Sequence, residues 1–428
     1  MLCYDWAIPE LAAYRPMIKS LHINNYKSLH DLTLDVGRFN VLIGENGCGK
    51  SNVLEAIALA GAAAADKLDN EFLVSRGIRV TEPQLMRAAF SEESLQEPIE
   101  ISVGFENVDA VQKYLLNHDN QAYSSWARND SDLTYIMNVW MTTMQLIGIH
   151  KQIRPFLLHQ SKAIDKATIE ENKTKKMMGE SIASEFFGGN KKDANKYFEG
   201  FDEIYYNEAP LKNVVIYSPE NTALRNFQKE GQIQPLGING EGLLKLLKVI
   251  QSKSTEQRAE IHESLELFDW YEQLDIPKEL AGYEDKVTIT DRFLSRDFDQ
   301  RSANEGFLFV LFYIALMVSD DTPKIFAVDN IDAALNPKLC TQLIKELTRL
   351  AKKYDKQVFV TTHNPAILDG IDLGDDEQRL LVLSRNKQGH TRCKRIGLDD
   401  KPRSASNEPL KLSEAFLRGY LGGLPKGF

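Results

Sequence analysis

The segment Gly44-Glu-Asn-Gly-Cys-Gly-Lys-Ser51 matches the spacing GxxxxGK[ST] in full. Such a segment can do one kind of chemistry well. Gly44, Gly47 and Gly49 let backbone N–H groups close around phosphate oxygens. Lys50 brings an ammonium to the outer phosphates, and the Ser51 hydroxyl suits a magnesium ion. Asn46 inside the loop and Asn52 just after it complete the candidate nucleotide contacts. Far along the chain, Lys324-Ile-Phe-Ala-Val-Asp329 is an apolar strand ending in a carboxylate. Asp329 is either the magnesium-side carboxylate of such a site or a helix cap following a strand. Together these residues predict ATP and Mg2+ as ligands, with Ser51 and Asp329 on the metal.

The elements that must position these residues are also legible. Phe39–Ile43 is a compact apolar run, read as a buried strand that feeds the loop. Asn52–Ala65 is rich in alanine and leucine and predicts a helix whose N-terminus adds partial positive charge. Ile18–Leu34 alternates and reads as two strands with a turn; 99–106 alternates again. The core resumes at Val214–Tyr217, residues 240–275 read as one or two helices, and Val287–Thr290 as a strand. Glu305–Ser319 is an apolar helix, too short to span a membrane. Lys324–Val328 and Gln357–Thr361 are strands flanking the helix Pro337–Tyr354, and Leu380–Ser384 is the last strand expected. The alternation implies an α/β fold, a P-loop NTPase with a largely parallel or mixed sheet flanked by helices. The organisation expected is an appendage at 1–16, with Met17 a candidate start, and head lobes at 17–106 and 206–428. Between the lobes, 107–205 is polar and lysine-bearing and is read as a helical insertion.

Composition narrows the class. Hydrophobic residues are 43% and charged residues 26%, a balance that excludes wholesale disorder. The net charge of -10 gives no bulk affinity for nucleic acid, although one basic face stays open. Cys3, Cys48, Cys340 and Cys393 form no CxxC pair, so neither a zinc knuckle nor a disulfide framework is expected. No secretory start and no membrane span is visible, and the expected location is cytoplasmic.

Five segments give the chain a resemblance to ABC-type ATPases of the SMC, RecF and OLD class, including antiphage ATPases such as those of Septu, PARIS and retron systems. Asn25-Tyr-Lys-Ser-Leu29 looks like that class's first turn, and Gly44–Asn52 is similar to its Walker A. Lys324–Asp329 looks like its Walker B, Asp332-Ala-Ala-Leu-Asn-Pro337 resembles its D-loop, and Val360-Thr-Thr-His-Asn-Pro365 its switch-histidine segment. The resemblance implies head-to-tail homodimers or higher oligomers, each ATP completed by a signature segment of the opposing copy. Ser302-Ala-Asn-Glu-Gly306 is the local candidate, with Asn304, Glu305 and Gly306 a departure from Ser-x-Gly; a simple helix cap is the alternative. It implies a γ-phosphate role for His363, against a lone loop histidine, and a metal-side role for Gln84, against an ordinary exposed glutamine. A second departure is Asn330, which stands where the class has a catalytic glutamate. Asn330 can orient water but cannot take its proton, so hydrolysis is expected to be slow.

Arg76 and Arg79 are phosphate or nucleobase contacts or plain surface arginines. Asp369, Asp372, Asp375 and Asp376 are read as a solvated acidic turn rather than a metal site. About 65 residues follow His363, too few for the Toprim nuclease of OLD proteins. The functional expectation is therefore a sensor ATPase that controls a separate effector, a nuclease, in antiphage defence. The alternative is a RecF-like DNA-binding ATPase of repair; a transporter subunit is disfavoured by the opening turn and the Thr-Thr-His segment.

Overall fold

The structure is a computed structural model that describes residues 17–106, 111–128, 210–226, 235–277, 286–403 and 409–423. Its elements begin with β1 (Ile18–Tyr26), β2 (Leu29–Asp35), β3 (Phe39–Gly44), α1 (Lys50–Ala64), α2 (Asn70–Ser75) and α3 (Pro83–Met86). There follow β4 (Ile99–Phe105), β5 (Val111–Asn117), β6 (Ala127–Arg128), β7 (Val215–Tyr217), α4 (Asn221–Arg225), α5 (Leu243–Lys253) and α6 (Thr255–Leu265). Next are β8 (Tyr271–Asp275), β9 (Thr288–Asp291), β10 (Phe298–Asp299), α7 (Glu305–Val318), β11 (Ile325–Val328) and α8 (Pro337–Lys353). The last are β12 (Gln357–Thr362), β13 (Gln378–Arg385), β14 (Thr391–Ile396) and α9 (Leu412–Leu417). The chain divides into two compact units, Met1–Ala127 with Pro210–Phe428, and Arg128–Ala209.

Among the described residues three sheets form, and one of them is mainly parallel. It runs β14-β13-β3-β12-β11-β7, with β14 alone antiparallel to its neighbour. A second, antiparallel sheet runs β2-β1-β4-β5-β6, and a small third one runs β10-β9-β8. Apart from the edge strand β14, the mainly parallel sheet is largely buried on both faces, which is why β3, β7, β11 and β13 read as largely apolar runs. β3 sends Phe39, Val41 and Ile43 to one core and Leu42 to the other. β11 does the same with Phe326 and Val328 against Ile325 and Ala327. The first core takes in α7, buried from Phe307 to Val318; the second holds α1 beneath the antiparallel sheet. Each fully buried side chain of this size contributes about 1.5–3 kcal/mol. α8 buries Leu339, Leu343, Ile344, Leu347 and Leu350, one stripe at helical spacing, with Asn336 as its cap and Pro337 in its first turn.

Three sequence readings are corrected. Val111–Asn117, expected to lie in a helical insertion, is a strand antiparallel to β4, so the antiparallel sheet continues past residue 107. Residues 129–205 of the expected insertion, residues 1–16 and Cys3 lie outside the described residues. The stretch 240–275 holds two helices, but it ends in the strand β8. β14 and α9 lie beyond the last strand expected. β14 has too few apolar residues to signal itself: Thr391 and Ile396 are buried, and charged residues alternate between them. Among the described residues no helix is long and apolar enough to cross a membrane.

Candidate functional site

β3 ends at Gly44, and the chain then turns through Gly47 (φ 74°) and Gly49 (φ 106°) into α1. These are left-handed conformations that favour glycine. A Cβ on Gly49 would lie 2.4 Å from Thr391 Oγ1 and 2.7 Å from Ser28 Oγ, whereas Gly47 faces open space. Gly49 caps α1 with no side-chain hydrogen bond, so the first N–H groups of the helix have no side-chain acceptor at the cap. Lys50 is buried, and its Nζ donates to the carbonyl oxygens of Gly44 (2.9 Å) and Glu45 (3.0 Å). Burial lowers its pKa, against the pull of Cys48, Asp329, Asp332 and Glu45. Phosphate oxygens are stronger, charged acceptors for the same ammonium than those carbonyls. Asn46 lies exposed in this loop.

On one side of the loop stand the ends of β12 and β11. Ser51 Oγ donates to Asp329 Oδ2 (3.0 Å) and Oδ1 (3.3 Å). Thr361 Oγ1 donates to Asp329 Oδ1 and accepts the Asn330 N–H at 2.9 Å. Thr362 Oγ1 donates to Asp332 Oδ1 at 2.6 Å. The two threonines are fully buried, and sequence reasoning passed over them; their signal was the pair of hydroxyls before His363. His363 is exposed just beyond β12. Partial burial and the Lys50 ammonium hold its pKa below the ordinary histidine value, against Asp332 and Asp329. Lys50, Asp329, Asp332 and His363 therefore share one electrostatic neighbourhood, although they come from three separate loops.

Asn330 is exposed and has φ 55°, a left-handed conformation in which asparagine is among the tolerated residues. Ala334 (φ 60°) has the same handedness, and hydrogen bonds Ala333 N to Asn330 O (3.0 Å) and Leu335 N to Asp332 O (3.2 Å) close the turn. Asn304 accepts the Phe307 N–H at 2.8 Å, so it caps α7, as the bland reading of that segment expected. Asn304 and Glu305 are nevertheless exposed, whereas the rest of α7 beyond Gly306 is buried. Gly306 packs on the turn after β11: a Cβ there would lie 3.1 Å from Ala334 O. Gln84 is exposed on α3 and, among the described residues, makes no hydrogen bond to Ser51 or Asp329.

The other side of the loop is held by hydroxyls. Asn52 Nδ2 donates to Ser28 Oγ (2.9 Å), Ser28 Oγ lies 2.7 Å from Thr391 Oγ1, and Thr391 Oγ1 donates to Cys48 O (2.8 Å). With the amide and the carbonyl fixing both ends, Ser28 must donate to Thr391. The relay ties α1 back to the loop that precedes it. Asn52 Oδ1 accepts from Arg79 Nη2 (2.9 Å). Arg79 and Lys27 both pair at 2.5 Å with Glu55, buried on α1, and Tyr26 OH donates to it at 3.0 Å. Arg76 is instead buried, with its guanidinium 4.3 Å from the Phe72 ring centroid. Thr391 and Glu55 were not anticipated. Asp369, half-buried, accepts from Ser413 of α9, while Asp372 and Asp375 accept from backbone N–H groups of their own turns.

A family model described as "AAA domain, putative AbiEii toxin, Type IV TA system" matches residues 39–369. In fold the chain is similar to a solved Smc head bound to the C-winged helix domain of ScpA. The identity is 13%, 90% of this chain and 98% of that one are covered, and the TM-score is 0.51. The SMC head domain from Thermotoga maritima matches at 13% identity over 90% of this chain and all of that one (100%), with a TM-score of 0.43. No curated protein matches.

Proposed function

This chain belongs to the AAA-domain family of the AbiEii type, and from that premise we propose that it binds ATP with Mg2+ and hydrolyses it slowly. The observation that carries the reading is the 3.0 Å contact between Ser51, which opens α1, and Asp329, which closes β11. A hydroxyl and a carboxylate converging beside a phosphate loop form an all-oxygen donor set, which suits magnesium. Ser51 and Asp329 would hold the ion; when bound, it neutralises charge on the phosphate oxygens. Lys50 and the first N–H groups of α1 bind the phosphates. Asn330 holds no proton acceptor, and the Asp332 carboxylate is engaged by Thr362, which supports slow turnover. The test is titration of ATP with and without Mg2+ into wild type, Ser51→Ala and Asp329→Ala. Both variants should lose the gain in affinity that magnesium provides. If Asp329→Ala keeps that gain, the assignment fails.

A slow ATPase suits a switch. The exposed start of α7, N-capped and aimed out of an otherwise buried helix, supports a head-to-tail dimer in which Asn304, Glu305 and Gly306 face the partner's nucleotide. His363 would then contact the γ-phosphate. The output would be a separate effector, a nuclease, held or released in antiphage defence. The sequence resemblance supports this, as does the family's description as a toxin of a toxin–antitoxin system. A related fold solved with a winged-helix partner is consistent with a protein partner here. Co-purification with a protein encoded next door is the expected result. A chain that purifies alone and protects cells alone would contradict it.

One observation favours direct nucleic-acid binding as a second reading. The β13–β14 hairpin exposes Arg385, Lys387 and Arg392 on a chain of net charge -10. DNA binding that is stimulated by ATP and weakened by salt would support it.

A further inference from the structure

Strand order gives the bound nucleotide a direction. Neighbouring strands lie roughly 4.8 Å apart. β3, which delivers the phosphate loop, has β12 and β11 on one side and β13 and β14 on the other. Asp329, Thr361 and His363 follow β11 and β12, so the metal and outer-phosphate end of the ligand lies on that side. The ribose and base must leave the loop toward the other side, past Ser28, Asn52 and Thr391.

Three aromatic rings stand there. His30 is two residues after Ser28, and His390 immediately precedes Thr391. Their ring centroids are 4.5 Å apart, and Phe90 lies 4.4 Å from His390 and 6.1 Å from His30. Gly389, at φ 86°, closes the hairpin turn over Phe90; a Cβ there would lie 3.3 Å from Phe90 Cε1. The cluster is not core. His30 is exposed, His390 is partly exposed, and Phe90 is 40% exposed. Three rings gathered at the surface have little to gain from packing alone, because much of their area stays in water. They do offer π-faces, and purine bases stack on such faces.

We propose that His30, Phe90 and His390 form the platform on which the adenine of bound ATP stacks. This inference rests on the nucleotide reading of the phosphate loop and adds to it the residues that hold the base. The platform is joined to the loop directly. The hydroxyl of Thr391 holds Cys48 O, so a base seated on His390 and a phosphate seated on the loop share one rigid support. Recognition by stacking reads the face of the base rather than its edge. Other purine nucleotides should therefore bind nearly as well as ATP, and pyrimidine nucleotides less well.

The experiment compares ATP with inorganic tripolyphosphate, both with Mg2+, by calorimetric titration of the full chain. The variants are Phe90→Ala, His390→Ala, the two combined, and Phe90→Trp. Tripolyphosphate occupies the loop but has no base. The combined variant should bind ATP about tenfold more weakly and tripolyphosphate as wild type does, while Phe90→Trp retains or exceeds wild-type affinity for ATP. Unchanged ATP binding in the combined variant overturns the platform. A parallel loss of both ligands overturns it too, because the rings would then be supporting the loop. If wild type binds neither ligand, the nucleotide reading itself fails, and the platform with it.

Discussion

The two flanks of the phosphate loop would meet the proposed nucleotide by different routes. On the metal flank, Asp329 and Thr361 end two neighbouring parallel strands, and Ser51 meets them from the start of α1. On the base flank, Ser28 and Thr391 meet across 363 residues, one from a hairpin turn and one from the first residue of an edge strand. The proposed metal flank brings the charged groups Lys50, Asp329 and Asp332 close to the loop, whereas the proposed base flank puts hydroxyls and rings there and keeps the charges of Arg79, Lys27 and Glu55 paired with one another behind Asn52. The difference fits the different work proposed for them. Charge must be placed where phosphate and metal charge lies, because a buried carboxylate or ammonium is costly unless it meets its opposite. The base carries no charge, so its flank needs rigidity and flat apolar surface instead. The chain of hydrogen bonds from Asn52 to Cys48 supplies that rigidity with neutral groups.

Substitutions can break or sharpen this contrast. The largest effect is expected from completing the metal flank. Asn330→Glu supplies a proton acceptor and should raise ATP turnover by about 100-fold or more in a steady-state phosphate-release assay. Because residue 330 has φ 55°, the glutamate should also cost about 1–2 kcal/mol of stability, read from denaturant unfolding. An unchanged or lower rate would mean that Asn330 does not occupy the base position. Next comes Lys50→Ala, expected to weaken ATP binding about 30-fold by loss of a charge-assisted contact, with little change in melting temperature. A near-normal affinity would remove charge as the principle of that flank.

Gly49→Ala tests where the flanks meet. Its φ of 106° and the 2.4 Å approach of Thr391 Oγ1 predict a stability loss of about 2 kcal/mol together with weaker binding. Thr391→Val is the smallest and most discriminating change. It removes the hydroxyl that joins Ser28 to Cys48 O, and should cost about 1 kcal/mol of stability and roughly fivefold in ATP affinity. Thr361→Val beside it should instead act on the magnesium dependence. If both valine variants lower only the magnesium response, the two flanks are not separate devices.

Much of the fold was readable because its parts repeat a local pattern. Phe39–Ile43 and Ile325–Val328 are apolar runs, each leading into a loop that carries candidate site residues, and such strand–loop units signal themselves within a few residues. Pro337 after Asn336 marked the start of α8 in the same way. β5 and β14 gave no comparable signal. β5 mixes Gln112 and Lys113 among its apolar residues and β14 is largely polar, and each becomes a strand by pairing, β5 with β4 and β14 with β13. Arg76 and Arg79 looked equivalent in sequence and are not. Arg76 turns onto Phe72, and Arg79 reaches Glu55 and Asn52.

The chain's own order of residues determined which groups could hold phosphate and metal: Gly44 to Ser51, Asp329 and the segment before His363. Their types and spacing are set within single strand–loop–helix units, where covalent neighbours decide geometry. Only the tertiary structure decided which residues stand opposite them. Leu383 pairs with Gly44 on one side and Cys393 on the other, and that register brings Thr391 to Ser28 and His390 to His30. Register between distant strands depends on how whole faces bury together. It leaves no mark in the few residues on either side of Thr391.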